Sequence, residues 1–441
     1  MNTEVCQISI DNAILKGVKI IGNPIEQRNN THTIVLLDTS GSMSDDNKLE
    51  NVKKSLNYLL KFLQNTDYLS LVTFNYGSEI IINNTKVSSD YLETFKYAID
   101  TLDAEGGTNL SSGLLNIKNI IERADTTQVS KTGLIILTDG QVNEGVTKSE
   151  ELLRIIHTIK EVNPNISITT IGYGEDHNAS LLNTIATNGG GSYNVVKNIE
   201  EVATVFGDIL GGLMTTVAQN VSIKYPSTWN CINMYSKVQH NDYIELYIGD
   251  IHAESETILL FENTTDTKIH ISGALTHDYS MMLKEINWTT NIAQHSEPYY
   301  MAYIRNTIAY ILKNLKTLEL ALIQSKLKPI KEYLNQPMIQ FHPLTRLLKS
   351  EITNIENQII RPNTLDTTLN LQTSAFLALG RGASAPRRRP LRRQISINEM
   401  DDSLDDIINT VNISTPFSNR VQRELTQQIM SMTATDPTDE V

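Results

Sequence analysis

Residues 33–42 read TIVLLDTSGS, that is Ile34, Val35, Leu36 and Leu37, then Asp38, Thr39, Ser40, Gly41 and Ser42. A short apolar run closed by Asp, Ser and Gly is the pattern of a strand covered on both faces, as strands of a parallel sheet are. Directly after it, residues 48–64 place Leu49, Val52, Leu56, Leu59, Leu60 and Leu63 on one helical stripe. Strand, tight turn and amphipathic helix form a βα unit, and the unit recurs. Further strands are predicted at 68–74, 79–82, 132–137, 166–171 and 193–196, and helices at 110–124, 148–162 and 199–213. This alternation predicts an α/β fold with a doubly wound, mainly parallel sheet over residues 31–216.

Asp38, Ser40 and Ser42 then stand at the carboxyl edge of the sheet, where α/β domains bind ligands. Two other segments bring oxygen side chains to loops or strand ends: Gly106-Gly107-Thr108 before a helix, and Thr138-Asp139-Gly140 after the strand at 132–137. One or two carboxylates with hydroxyls suit Mg²⁺, a hard ion that wants octahedral oxygen coordination and keeps several waters. Ser, Thr and Asp also cap helices, which is the competing reading of each residue taken singly. In a third reading an ion is bound but only holds the loops together.

In these positions the chain resembles the von Willebrand factor A (VWA) family with its metal-ion-dependent adhesion site. The family's Asp-x-Ser-x-Ser matches Asp38, Ser40 and Ser42, its separate threonine matches Thr108, and its second aspartate matches Asp139. The resemblance covers about residues 30–215 and extends to Gly172-Tyr173-Gly174 and to the run from Gly189 to Tyr193. It implies a Mg²⁺ held by the Ser40 and Ser42 hydroxyls, with Asp38 and Asp139 acting directly or through water and Thr108 joining according to loop state. Mn²⁺ is an acceptable substitute, and an open coordination position would accept a Glu or Asp side chain of a protein partner. The flanks resemble a group of VWA proteins in which a phrase like that from Leu246 to Glu256 lies in β-rich sequence and is followed by a helical region. Some of those relatives append a RING or a self-splicing module. Two cysteines, Cys6 and Cys231, cannot ligate a RING, and no catalytic Cys/His block marks the other.

Outside the α/β region, residues 1–30 hold two strand-like runs and 217–297 several more, so both are expected to share one β-sandwich with the α/β domain inserted between them. Residues 298–379 have helical period, and 380–441 read as a largely disordered tail. The tail carries a basic cluster, Arg387, Arg388, Arg389, Arg392 and Arg393, suited to a phosphate, an anionic membrane, an acidic partner or the acidic stretch at 399–406.

A net charge of −13 argues against a nucleic-acid-binding surface on the folded part. The start, MNTEVCQISIDN, lacks the basic and apolar regions of a signal peptide, and no apolar run approaches the roughly 18–20 residues of a membrane span. A cytoplasmic location is therefore expected. Gly-x-x-x-x-Gly-Lys, His-Glu-x-x-His and Gly-x-Ser-x-Gly are all absent. The expectation is a non-enzymatic interaction or scaffold protein that binds an acidic side chain of a partner. The alternative is a substrate-presenting or regulatory subunit of an ATPase or ubiquitin-ligase complex.

Overall fold

The structure, a computed structural model, describes residues 1–360 apart from 11–12, 125–128, 140–141, 175–176, 197–198, 266–267, 279, 290–291, 316 and 343. The predicted tail, with Arg387, Arg388, Arg389, Arg392 and Arg393, lies outside the described residues, as does Gly140.

The opening stretch forms strand β3 (Thr31–Asp38), buried along its whole length. It sits between β4 (Tyr68–Phe74) and β6 (Lys131–Thr138), parallel to both, in a six-stranded sheet completed by β5 (Ser78–Lys86), β7 (Ser167–Tyr173) and β8 (Gly190–Val196). Every pairing is parallel except β4 with the edge strand β5. Alternate side chains of β3 leave on opposite faces, which is why one strand serves two cores. Val35 and Leu37 pack with Val52, Leu56 and Leu59 of α1 (Lys48–Phe62) and with Phe206 and Leu210 of α6 (Ile199–Thr215). Ile34 and Leu36 pack with Leu114 and Ile117 of α3 (Leu110–Arg123) and Ile156 of α4 (Ser149–Val162). The expected mainly parallel α/β sheet is thus present.

Two helices were not predicted. In α2 (Ser89–Asp100) only Phe95 and Ile99 are buried, while Tyr91 and Tyr97 face solvent, so no stripe stands out. Helix α5 (Ala179–Gly189) is short and runs into glycines, where Gly190, at φ +74°, caps it and begins β8.

The first two strands, β1 (Asn2–Ile10) and β2 (Ala13–Ile21), form an antiparallel hairpin. The remaining strands are β9 (Thr216–Pro226), β10 (Asn230–Cys231), β11 (Ser236–Gln239), β12 (Tyr243–His252), β13 (Glu256–Glu262), β14 (Ile269–Leu275) and β15 (Met281–Ile286). They make two sheets, ordered β1-β2-β13-β10 and β11-β12-β9-β14-β15. Between these sheets Val5, Val18, Ile20 and Phe261 meet Val221, Ile223, Tyr225 and Leu246. The other face of the four-stranded sheet lays Ile8, Leu15 and Leu260 against Tyr299 and Ala302 of α7 (Glu297–Asn314). Helix α7 packs in turn with α8 (Leu320–Leu334) and α9 (Thr345–Ile360) around Ile308, Ile330 and Leu348.

The chain enters and leaves the α/β domain at one place. Asn29 donates from its backbone N to Met214 O at 2.8 Å and from Nδ2 to Thr216 O at 2.8 Å. Nearby, β12 departs from regular register around Gly249, whose φ of +94° suits glycine. This irregularity immediately precedes Asp250, whose Oδ2 lies 2.6 Å from the ammonium of Lys131 at the start of β6. Lys131 Nζ also donates to Asn165 O at 2.8 Å and Gln219 Oε1 at 3.2 Å. Burial lowers Lys160 to about 8, with Asp250 opposing that shift and Lys131 adding to it. An ion-pair cluster therefore joins the amino edge of the parallel sheet to the β-sandwich, which leaves its carboxyl edge facing away.

Candidate functional site

At that carboxyl edge the turn after β3 folds back on itself. Asp38 Oδ1 accepts from Ser40 N at 2.8 Å, and Asp38 Oδ2 accepts from Thr138 Oγ1, on the adjacent strand β6, at 2.5 Å. Ser40 Oγ is 3.2 Å from Ser42 Oγ, and Ser42 Oγ donates to Asp139 Oδ1 at 2.8 Å. Asp38, Ser40, Ser42 and Asp139 are thus brought into one connected group from two neighbouring strand ends.

Thr108 arrives on a separate loop that is pinned to this turn. Gly41 N donates to Gly106 O at 3.1 Å and Glu105 N to Thr39 O at 2.8 Å. Thr108 N donates to Asn143 Oδ1 at 2.8 Å, while Thr108 O accepts from Asn143 N and Glu144 N. Asn109 caps α3 by accepting from Ser112 N at 3.1 Å and reaches Tyr76 O with Nδ2 at 3.0 Å. Gly106 has φ +82°, and a Cβ there would lie 2.6 Å from the ring of Tyr76. Glycine is required twice over, and Tyr76 remains 67% exposed on the rim.

The von Willebrand factor type A domain model matches residues 33–208. This chain contains a von Willebrand factor A domain. Among curated relatives, the uncharacterized protein YfbK of Escherichia coli is 28% identical over 249 residues, covering 53% of this chain and 42% of its own length. Inter-alpha-trypsin inhibitor heavy chain H4 of Sus scrofa is 26% identical over 200 residues, covering 44% of this chain and 21% of its own. The match thus spans less than half of either relative. A solved von Willebrand factor type A structure from Catenulispora acidiphila superposes with a TM-score of 0.56 at 15% identity, covering 79% of this chain and 88% of its own. At that identity the likeness concerns the fold.

Two residues of the A domain's turn region escaped the sequence reading. Thr138 was legible only as a strand end, yet it donates to Asp38 across the sheet. Lys48, the first residue of α1, places Nζ 2.5 Å from Asp139 Oδ2 and 3.4 Å from Ser42 O. A cation at a helix N-terminus opposes the macrodipole, and that misfit is the signal that could have marked it.

Burial pushes the Asp38 carboxyl up to about 6, against the pull of hydrogen bonds from Thr138 and Ser40, and the nearby Asp139 charge adds to the rise. The site therefore holds a buried carboxylate whose charged form these hydrogen bonds compensate in part, and a cation would add to that compensation. Around an octahedral ion with metal–oxygen distances of about 2.1 Å, adjacent oxygens lie about 3.0 Å apart. The Ser40–Ser42 and Ser42–Asp139 separations, 3.2 and 2.8 Å, bracket that edge. Among the described residues no three or more His, Cys, Asp and Glu side chains converge, so this donor set is hydroxyls with two carboxylates. That composition fits Mg²⁺ or Mn²⁺ better than Ca²⁺, which prefers more ligands.

The two cysteines are free, and burial pushes the Cys231 thiol up to about 12, so it is not a reactive thiolate. No helix among the described residues is long and apolar enough to cross a membrane.

Proposed function

We propose that this chain is a divalent-cation-dependent protein-interaction module in which Asp38, Ser40, Ser42, Thr108 and Asp139 hold Mg²⁺, with Mn²⁺ as a substitute. The observation that carries this reading is the oxygen chain Ser40 Oγ, Ser42 Oγ and Asp139 Oδ1 at octahedral-edge spacing beside the buried Asp38. A bound ion supplies an electrophilic position for an acidic side chain of a partner.

The protein's own residues do the rest. Thr138 and Ser40 hold the Asp38 carboxylate in one orientation. Asn143 and the Gly41–Gly106 backbone bond hold Thr108 beside the turn. Tyr76 offers an exposed aromatic surface next to the site, of the kind that anchors interfaces. Both oxygens of Asp38 and both of Asp139 accept hydrogen bonds from within the chain, which favours a binding role over one needing a free general base. The relative named as a heavy chain of inter-alpha-trypsin inhibitor supports an interaction role as well.

Titration calorimetry of the full chain with MgCl₂ tests the site, and retention of protein partners on the immobilised chain in Mg²⁺ and in EDTA tests the role. Saturable Mg²⁺ binding, lost in Ser40→Ala with the circular dichroism spectrum unchanged, and release of partners by EDTA are expected. Retention that is indifferent to EDTA overturns the reading.

A further inference from the structure

Each oxygen of Asp139 has its own partner: Oδ1 takes the Ser42 hydroxyl and Oδ2 takes the Lys48 ammonium. The Asp139 side chain is fully buried while that of Lys48 is 17% exposed, so the carboxylate is shut off from water and the lysine keeps an edge on it. Lys48 owes its position to the backbone before it. Asp46 and Asn47, with φ of 51° and 55°, are consecutive non-glycine residues in the left-handed region; they end the short helical turn Gly41–Asn47 and lead directly into α1. Asp and Asn are the non-glycine residues that adopt this conformation most readily, so the sequence suits the turn. On its far side the lysine stem lies beside Gly174 after β7, where a Cβ would be 3.9 Å from Lys48 Cε.

A divalent ion ligated through Asp139 and the tethered ammonium are like charges drawn to one buried carboxylate. We propose that Lys48 is a built-in competitor that sets the cation threshold of the site: it neutralises Asp139 and must leave Oδ2 as the ion binds. This rests on the metal site proposed above and adds its regulation. Coupling between two ligands for one group is reciprocal, so whatever the ion pair contributes to holding Asp139 is subtracted from the apparent affinity for the ion. The lysine is flexible and partly exposed, so it can withdraw while the serine hydroxyls stay in place.

The experiment measures Mg²⁺ and Mn²⁺ dissociation constants by calorimetry on the full chain, for wild type and for Lys48→Gln, Lys48→Met and Lys48→Arg, with thermal unfolding of each in EDTA. Losing a charge-assisted hydrogen bond to Asp139 should tighten Mg²⁺ binding by about tenfold in the Gln and Met variants. The same variants should melt lower than wild type in EDTA, because Asp139 then lacks its counter-charge. Lys48→Arg, which keeps the charge, should stay within about threefold of wild type. Binding by Lys48→Gln and Lys48→Met but not by wild type would be the extreme form of the same result. If wild type binds Mg²⁺ and the Gln and Met variants bind it equally or more weakly, Lys48 is not a competitor and the metal site stands. If no form binds Mg²⁺ or Mn²⁺, both proposals fall together.

Discussion

Thr138 Oγ1 donates to Asp38 Oδ2 at 2.5 Å although the two residues are 100 positions apart, because β3 and β6 run parallel and reach the same edge together. Thr138→Val keeps the shape and removes the donor. A buried carboxylate stripped of one partner should cost about 1–3 kcal/mol at pH 7, read as a lower urea midpoint. The Asp38 carboxyl should also rise above its present value of about 6, which carbon-13 chemical shifts of the labelled side chain would follow against pH.

Ser42 is half-buried and links Ser40 to Asp139. Replacing it by alanine breaks the oxygen chain at its middle while leaving both Asp38 contacts intact. Stability in EDTA should fall by about 1–3 kcal/mol, because the buried Asp139 carboxylate loses a donor, while the rise in melting temperature produced by MgCl₂ in wild type should disappear. A full Mg²⁺-induced rise in Ser42→Ala would count against the site.

His32, near the start of β3, is pushed down by burial to about 4, and its Nε2 lies 2.9 Å from Ser70 Oγ. In the unfolded chain it titrates near 6.5, so as pH falls the unfolded state gains this proton first. Its contribution is complete above pH 6.5 and is lost between about 6.5 and 4, amounting to about 3 kcal/mol. Asp38 acts in the opposite sense, since its raised carboxyl penalises folding at neutral pH and relieves that penalty as pH drops through about 6. Comparing urea midpoints of wild type and His32→Gln at pH 7 and 4.5 isolates the histidine. The variant should show the weaker loss on acidification.

Asp250→Ala leaves the Lys131 ammonium, with its side chain 1% exposed, with the neutral acceptors Asn165 O and Gln219 Oε1 and without the carboxylate that faces it now. Breaking one side of a buried pair should cost about 3 kcal/mol by denaturant titration. Adding Lys131→Met should recover part of that loss, since the unpaired charge goes with it.

The α/β core was legible because its strands are apolar on both faces and its main helices carry unbroken stripes, as Val52, Leu56 and Leu59 do in α1. Strand β15 carries little such signal for the opposite reason: it is a sheet edge, with Met281, Leu283 and Glu285 outward and Ile286 the one fully buried residue of the strand. The oxygen side chains of the site were readable as residue types at strand ends. What joins them was not, since Thr138 reaching Asp38 depends on strand register and Lys48 reaching Asp139 on two left-handed residues. The phrase from Leu246 to Glu256 was recognisable in sequence without a role, and Asp250 supplies one by meeting Lys131.

The hairpin β1–β2 finds its outer partner in β13, where Lys19 Nζ meets Glu256 Oε1 at a separation of 237 residues. As the chain is synthesised, the hairpin emerges ahead of the A domain and then waits, with Val5, Val18 and Ile20 uncovered, until the strands after residue 216 appear. An isolated hairpin has little stability of its own, and such distant pairings are slow to form. The A domain draws its sheet from residues 31–196 and needs no such delay. The sheet that bears the candidate site can thus be complete while the platform beneath it is still being made.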